Sequence, residues 1–183
     1  MRIIAGRFRG RRLTPVGKGD AGAHLRPTAD RVRESLFNVL AAYGGLDGAR
    51  VLDLFAGTGA LGLEALSRGA AHVTFVETGR VAQGLIRRNV ELTGSRAQTA
   101  LLRADATRPG HNPGQAFDLV FLDPPYGKGL GERALAAAKA GGWIAPGALA
   151  VCEEGAAMPP PPGCTTLDER RYGDTWITIL ECA

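Results

Sequence analysis

The first motif that could do chemistry is Asp123-Pro124-Pro125-Tyr126, directly after the apolar run 117–122. The two prolines remove two backbone donors and restrict the chain, so the Asp123 carboxylate and the Pro124 carbonyl can be held as two fixed acceptors. An exocyclic amine donates two hydrogens, and these acceptors would turn its lone pair toward an electrophile. Tyr126 offers a flat face on which a base can stack. The motif predicts a reaction at a nucleobase amine; the structural alternative is a proline-rich turn that only ends a strand.

The second motif is the glycine loop Gly57-Thr58-Gly59-Ala60-Leu61-Gly62, which follows the apolar run 51–54. Gly57 and Gly59 allow a sharp turn and a close approach of the backbone to a ligand, while Gly62 omits a side chain where helix meets sheet. The pattern predicts a strand, a tight turn and a helix, with a nucleotide-type ligand at the turn. The alternative is an ordinary strand-to-helix turn that binds nothing.

The acid before this loop indicates which nucleotide-type ligand it suits. A dinucleotide would place an anionic pyrophosphate at the helix N-terminus, where Asp53 repels it mildly. S-adenosyl-L-methionine has no phosphate and brings an ammonium and a sulfonium to the same corner. We therefore expect S-adenosyl-L-methionine as the cofactor, bound by Asp53 and the loop residues Phe55, Ala56, Gly57, Thr58 and Gly59.

The elements that position these motifs alternate along the chain. Apolar runs predict further strands, amphipathic runs predict helices between them, and the chain ends in a predicted hairpin. This alternation predicts a doubly wound, mainly parallel α/β sheet, whose ligands bind at the carboxyl ends of the strands. The predicted strands are 72–76, 99–102, 117–122, 148–152 and the hairpin 165–170 with 175–180; the predicted helices lie between Gly79 and Gly94 and at 134–140.

Two further acids follow predicted strands at the same edge of the sheet. Glu77 ends the second strand and can accept both hydroxyls of a ribose, as such an acid does in nucleotide-binding folds. Asp105, with Ala106 beside it, follows the third strand and can accept from an adenine amino group. Both acids are also ordinary helix N-caps, which is the structural alternative.

Positive charge is concentrated at the N-terminus. The net charge is +4, yet residues 1–33 hold nine basic and two acidic residues, a net +7, which leaves −3 for the rest. Two short strands around Ala5-Gly6 would display the arginines as a basic ribbon, which fits a phosphate backbone. The alternative is a solvated, frayed terminus. The predicted RNA-binding residues are Arg2, Arg7, Arg9, Arg11, Arg12, Arg26 and Arg31.

Two helices carry specific predictions about which residues face inward. Thr28 is the expected N-cap of the first, whose apolar spacing places one face against the core and points Arg31 and Arg33 away from it. The expected inward residues are Val32, Leu36, Val39, Leu40 and Tyr43 in the first helix, and Val81, Leu85, Ile86 and Leu92 in the helix after Gly79.

Composition limits the class of protein. With 183 residues, 45% hydrophobic and 22% charged, the chain predicts one globular domain with a real core. It shows neither a membrane-spanning run nor the apolar region of a signal peptide, so we expect a cytoplasmic protein without membrane contact. Cys152, Cys164 and Cys182 form no paired spacing, so we expect free buried thiols and no metal site.

These motifs together resemble the RsmD family of bacterial small-subunit rRNA methyltransferases over essentially the full chain. The resemblance rests on the N-terminal arm, the glycine loop, the Asp-Pro-Pro-Tyr motif and three further segments. One departure from the family pattern is Glu77-Thr78-Gly79-Arg80, which lacks the usual second acid near Glu77. The matching segments are 3–10, 25–28, 30–34, 55–65, 123–126 and 172–175.

The resemblance implies a class I, Rossmann-like methyltransferase sheet, S-adenosyl-L-methionine as cofactor and N2-methylguanine in 16S rRNA as product. It implies that Asp53, Gly57 and Gly59 hold the methionine part, Glu77 the ribose and Asp105 the adenine. It places the target guanine at 123–126. The implied organisation is a basic arm at 1–27 and a methyltransferase domain at 28–183, acting as a monomer on 16S rRNA or an assembling small subunit.

Two other functions remain compatible with these residues. Asp-Pro-Pro-Tyr serves several exocyclic amines, so an adenine-N6 methyltransferase acting on RNA or DNA is one alternative. The arm is too short to read a duplex sequence, which argues against DNA. The other alternative is a non-catalytic rRNA-binding assembly factor that retains the pocket.

Overall fold

The computed structural model describes residues 1–17, 29–44 and 46–183. Within these ranges, one seven-stranded sheet is flanked by α-helices. The helices are α1 (Asp30–Ala42), α2 (Ala60–Ser67), α3 (Arg80–Thr93) and α4 (Leu130–Ala140). The strands are β1 (Arg50–Leu54), β2 (His72–Val76), β3 (Thr99–Leu102), β4 (Phe117–Leu122), β5 (Ile144–Glu154), β6 (Cys164–Tyr172) and β7 (Thr175–Cys182).

The sheet has the strand order β3-β2-β1-β4-β5-β7-β6. The strands from β3 to β5 pair in parallel, and β7 pairs antiparallel with both β5 and β6. From β1 the chain first winds outward to β3 and then returns to β4 on the other side. Ligands of such sheets bind where the winding reverses, between the ends of β1 and β4. The predicted doubly wound sheet with a C-terminal antiparallel hairpin is confirmed.

Each face of the sheet packs against its own helices. On one face, α1, α2 and α3 cover a core that includes Phe75, Phe37 and Phe121, and the last two rings lie 5.6 Å apart. On the other face, α4 covers a core in which Phe117 stacks on Trp143 at 6.0 Å. The inner parallel strands β1, β2 and β4 are therefore largely buried on both sides, which explains their mainly apolar sequences.

The inward face of α1 differs from the prediction at both ends of the helix. Leu36 and Leu40 are buried, as predicted. Tyr43, predicted to face inward, is 41% exposed, and Arg33, predicted to face solvent, is fully buried. Arg33 is buried because its guanidinium donates to Asp30 and to the Arg2 carbonyl. Arg31 is exposed, as predicted. Ala29 occupies the N-cap position, and the expected cap Thr28 lies outside the described residues.

The buried face of α3 is also shifted from the one predicted. Leu85 and Ile86 are buried, but Val81 and Leu92, expected inside, are 42% and 43% exposed. The buried stripe instead includes Asn89, a polar residue that apolar spacing alone does not select. The helix packs through this stripe, so Val81 and Leu92 lie at its solvent side.

The cysteine prediction was wrong for two of the three residues. Cys164 and Cys182 form a disulfide, while Cys152 is a free, buried thiol as expected. The pairing of β6 with β7 sets Cys164 directly opposite Cys182, with their Cα atoms 4.1 Å apart. Strand register decided this pairing, and cysteine spacing carries no information about register. None of the described helices is both long and apolar enough to cross a membrane.

Candidate functional site

The glycine loop joins β1 to α2 through a series of left-handed backbone positions. Gly57 and Gly59 have φ of 55° and 77°, and Phe55, which has a side chain, has φ of 62°. Non-glycine residues rarely adopt such a conformation, and functional sites are enriched in them. A Cβ atom on Gly62 would lie 2.5 Å from the Phe75 ring. The predicted close packing of helix on sheet at Gly62 is thus confirmed.

Asp53 lies buried beneath this loop. Its Oδ2 atom accepts a hydrogen bond from the Gly62 N–H at 3.0 Å. Burial, assisted by the nearby charge of Glu77, raises the pKa of Asp53 to about 8, against the opposing effect of the Gly62 hydrogen bond. At neutral pH the carboxyl is therefore largely protonated in the free protein, and a cation placed beside it would favour its ionised form.

Glu77, at the end of β2, is hydrogen-bonded to the glycine loop. Its Oε2 accepts from the Gly57 N–H at 2.9 Å, and its Oε1 accepts from the Gly79 N–H at 2.7 Å. Each carboxylate oxygen can accept more than one hydrogen bond, so the two oxygens still have capacity for a hydroxyl pair. The structure brings Glu77 and Asp53 together at neighbouring strand ends.

Asp105 occupies a more remote position after β3. Its Oδ1 accepts from both the N–H and the hydroxyl of Thr107, each at 2.8 Å, and these bonds lower its pKa. The carboxylate is exposed and already closes a local turn. Ala106 beside it is buried in the core on the α4 side of the sheet.

Asp123 stands at the end of β4, next to the end of β1. The register pairs Leu54 with Leu122, so Asp123 follows β4 at the level where the glycine loop leaves β1. Asp123 is half-buried, and burial is the main cause that raises the pKa of its carboxyl well above the usual range. The charges of Glu153, Asp53 and Glu154 raise it further.

Two acids at the end of β5 hold the segment after Asp123. The Tyr126 hydroxyl donates to Glu153 Oε1 at 2.8 Å and lies 3.1 Å from the Thr175 hydroxyl. The Gly127 N–H donates to Glu154 Oε2 at 3.1 Å. Sequence reasoning missed Glu153 and Glu154, although two consecutive acids ending a buried strand were a usable signal. They fix the orientation of the Tyr126 ring.

The edge formed by β1, β2, β4 and β5 is therefore rich in carboxyl groups. Among the described residues, Asp53, Glu77 and Asp123 take part in no salt bridge. The described part of the chain also holds no group of three or more His, Cys, Asp or Glu side chains that could bind a metal ion. Three acids without basic partners, one of them buried, fit a cationic organic ligand such as one carrying an ammonium and a sulfonium.

The N-terminal arm, defined as residues 1–13, is a short hairpin. The Ile3 N–H donates to the Arg11 carbonyl at 2.9 Å, and the Gly10 N–H donates to the Ile3 carbonyl at 2.8 Å. One isolated bridge joins Arg2 to Arg12. The expected ribbon of two short strands around Ala5-Gly6 is thus present as a hairpin, but its strands are reduced to one bridge and the chain reverses over residues 6–10.

The arm displays its arginines and buries its apolar residues. Ile3 and Leu13 belong to the core beneath α1 and α2. Arg2 pairs with Asp30 at 3.6 Å. The predicted arm arginines Arg2, Arg7, Arg9, Arg11 and Arg12 are all exposed, whereas Arg26 and the predicted 27/28 boundary lie outside the described residues.

A set of buried polar contacts attaches the arm to α2. The fully buried Glu64 accepts the Ile4 N–H at 2.8 Å and the Ala5 N–H at 3.1 Å. The Ser67 hydroxyl accepts the Phe8 N–H at 2.9 Å, and the Ser67 carbonyl accepts the Arg7 N–H at 2.8 Å. The arm is thus a fixed part of the domain surface.

The strand order, the reversed seventh strand and the glycine loop beside an acid define a class I, Rossmann-like methyltransferase fold. A family model described as "Conserved hypothetical protein 95" matches residues 1–181. The chain belongs to this family, the RsmD family that its motifs resemble.

This chain is similar to named relatives in both sequence and structure. The chain is 39% identical over 180 residues to ribosomal RNA small subunit methyltransferase D of Haemophilus influenzae, covering 94% of this chain and 89% of that protein. It is 44% identical over 154 residues to the Escherichia coli K12 protein of the same name, covering 84% and 74%. A solved Escherichia coli structure, described as a proposed methyltransferase, superposes with a TM-score of 0.85 at 36% identity, covering 100% and 97%.

Proposed function

We propose that this protein transfers a methyl group from S-adenosyl-L-methionine to the N2 amine of a guanine in 16S rRNA. The observation that carries the proposal is the position of Asp123-Pro124-Pro125-Tyr126, which leaves β4 beside the glycine loop of β1. A cofactor on the loop and a base on the motif would meet at one edge of the sheet. Relatives named as small-subunit rRNA methyltransferases support rRNA as the substrate class.

The cofactor would be held by the residues of the glycine loop and its neighbours. S-adenosyl-L-methionine supplies a methyl group already activated by a sulfonium. Asp53 would bind the ammonium, together with the backbone of Gly57 and Gly59. Glu77 would accept the ribose hydroxyls, and Asp105 would accept from the adenine amine beside Ala106. The remaining loop residues, Phe55, Ala56 and Thr58, would line the same site.

The target amine would be held by two acceptors at the end of β4. The Asp123 carboxylate and the Pro124 carbonyl each accept one N2 hydrogen, so the nitrogen lone pair faces the methyl carbon. A cofactor held by the glycine loop would supply the methyl group to this lone pair, and the electrons of its C–S bond would stay with the sulfur. The surplus N2 proton then passes to Asp123 or to water. Burial and the neighbouring acids raise the pKa of Asp123, so its carboxylate, once ionised beside the cationic cofactor, would be a stronger base than an ordinary carboxylate.

Access to the amine requires the guanine to leave its stack, because a stacked base hides its edge. Tyr126 would then provide the face on which the extruded base rests. Glu153 and Thr175 hold its hydroxyl, so the ring is oriented before the base arrives. Catalysis in this scheme consists mainly of positioning, which can supply about 7 to 11 kcal/mol.

Cofactor affinity should rise with pH up to about pH 8. Below about pH 8, Asp53 is mostly protonated in the free protein, so affinity rises with pH by up to about tenfold per unit. Above that pH Asp53 is ionised and the rise should level off, until the cofactor ammonium itself loses its proton. Calorimetric titration with S-adenosylhomocysteine, which has the same amine, at several pH values would measure this.

The variant Asp53→Asn provides the comparison, since an amide does not titrate in this range. It should bind weakly at all pH values and lack the rise on the acidic side. A wild-type affinity that stays constant between pH 6 and pH 8 would contradict a contact between Asp53 and the ammonium.

The decisive test of function identifies the methylated nucleoside. The protein is incubated with methyl-labelled S-adenosyl-L-methionine and, separately, with unmodified small ribosomal subunits, naked 16S rRNA or duplex DNA. Label in N2-methylguanosine from a ribosomal substrate is expected. The better ribosomal substrate would show when in assembly the enzyme acts.

Other outcomes would replace the proposal. Label in N6-methyladenine would retain the site but change the target base. Cofactor binding without label in any substrate would favour the non-catalytic assembly factor. Label in DNA would overturn the substrate class.

A further inference from the structure

The exposed side of α3 carries a group of arginines that the proposed function does not yet use. Arg80, Arg87 and Arg88 are exposed, and among the described residues none of their side chains forms a hydrogen bond or a salt bridge. We call these three residues the α3 surface. The only acid exposed on this helix is Glu91. Since residues 34–183 together carry a net −3, this basic group is a local feature.

The arm is docked against the last turns of the same helix. The Arg11 guanidinium donates to the Leu92 carbonyl, and the Thr14 N–H, just beyond the arm, donates to Asn89 Oδ1 at 2.8 Å. Arg88 lies one turn before Leu92 on the same side of α3, because residues four apart are neighbours on a helix. The arm and the α3 surface therefore adjoin.

The opposite end of α3 lies at the catalytic edge. The helix begins at Arg80, three residues after Glu77, and runs back toward the start of β3. Arg80 and Arg88 are separated by about 12 Å along the axis, at 1.5 Å per residue. The arm is held at the far end of α2, and that helix is buried from Leu61 to Ser67. The exposed helix that runs from the arm toward the catalytic edge is therefore α3.

Asn89 connects the glycine loop, α3 and the segment just after the arm through hydrogen bonds. Its Nδ2 donates to the Thr58 carbonyl in the glycine loop at 2.9 Å, while its Oδ1 accepts from Thr14. The side chain is fully buried. The cofactor loop, α3 and the end of the arm consequently form one rigid unit, and rigid placement of charges reduces the entropic cost of binding.

We propose that Arg80, Arg87 and Arg88 bind phosphates of the rRNA and, with the arm, form one continuous track from the catalytic edge to the N-terminus. The proposal rests on the proposed function, because it names the surface by which that enzyme would hold its substrate. Guanidinium groups bind phosphate by paired hydrogen bonds. The exposed side chains of Val81 and Leu92 lie on the same side of α3 as Arg88, and they would contact apolar faces of the same RNA strand.

The test compares two charge-matched double variants. Arg87→Gln with Arg88→Gln removes two positive charges from the α3 surface. Arg170→Gln with Arg171→Gln removes two charges from β6, the opposite edge of the sheet. Binding of naked 16S rRNA and, separately, of unmodified small ribosomal subunits is measured against salt concentration for both variants and for the wild-type protein.

The α3 variant should lose two phosphate contacts. At about 0.7 of slope per contact on single-stranded RNA, the slope of log affinity against log salt should fall in magnitude by about 1.4, and affinity at 0.1 M salt should fall by roughly 25-fold. Methyl transfer should show a raised KM for RNA with little change in kcat at saturation, and cofactor affinity should not change. The β6 variant should bind RNA like the wild-type protein.

Equal slopes for the wild-type protein and the α3 variant would overturn the proposal. So would a loss of affinity confined to assembled subunits, because that result assigns the surface to a ribosomal protein. A wild-type protein that methylates no RNA would instead contradict the proposed function. The two failures are therefore distinguishable.

Discussion

Asp123→Asn should reduce methyl transfer at saturating substrates by at least about 100-fold, while RNA affinity stays within about threefold of wild type. The amide cannot accept the surplus proton, and it offers the target amine only a neutral carbonyl acceptor in place of a carboxylate. Misplacing reacting groups by about 1 Å already costs about 10²-fold. Single-turnover kinetics with labelled cofactor, together with RNA binding by filter retention, would measure both quantities.

The stability of this variant separates a catalytic loss from misfolding. Removing a carboxyl that lies near Glu153 and Asp53 relieves repulsion, so the melting temperature should equal or exceed that of the wild-type protein. Asp118→Asn is the matched control, since Asp118 is exposed on the same strand and, within the part of the chain that the structure describes, accepts a single hydrogen bond, from the Arg50 N–H. Full activity of Asp123→Asn would show that Asp123 does not hold the amine. Loss of RNA binding together with activity would make Asp123 a binding residue.

The sheet was largely predictable because burial on both faces leaves a direct signal. The boundaries predicted for β2, β3 and β4 agree with the structure, since each is a short apolar run between polar or glycine-rich segments. The glycine loop was equally clear, as its positions depend on backbone conformation more than on distant contacts. The same local signals placed Asp53, Glu77 and Asp123 at one edge.

Contacts between distant segments were not predictable in this way. Arg33 was predicted to be exposed because a charged side chain in an amphipathic helix usually faces solvent. Its burial depends on Glu64 in another helix and on the Arg2 carbonyl, neither of which leaves a periodic signal. The Cys164 disulfide likewise depends on strand register, and Asn89 depends on a loop 31 residues earlier in the chain.

Glu64 and the arginines around it form a buried ionic cluster beneath the arm that stabilises the fold. Arg33 Nε lies 3.8 Å from Glu64 Oε2, and Arg68 Nε donates to Glu64 Oε1 at 2.8 Å. Burial lowers the pKa of Arg33, although the charges of Glu64 and Asp30 oppose that effect. Since Glu64 also accepts two arm N–H groups, one carboxylate balances the buried charge and fixes the arm.

Glu64→Gln should therefore destabilise the protein by about 3 to 5 kcal/mol, the usual cost of breaking a buried ion pair from one side. In one orientation the amide nitrogen would face the Ile4 N–H and Arg33 Nε, and in the other it would face the Ala5 N–H and Arg68 Nε. Donor would oppose donor in either orientation. At about 2 to 4 °C per kcal/mol for a chain of this size, the melting temperature should fall by roughly 6 to 20 °C. Calorimetry would measure this loss.

Hydrogen exchange would locate the damage. The Ile4 and Ala5 amides should exchange much faster in Glu64→Gln, because they lose the carboxylate that accepts them. Glu34→Gln, an exposed substitution next to Arg33 in α1, should leave both stability and exchange unchanged. A loss below about 1 kcal/mol in Glu64→Gln would lie within the range of a single neutral hydrogen bond. The arm would then be held mainly by the apolar burial of Ile3 and Leu13.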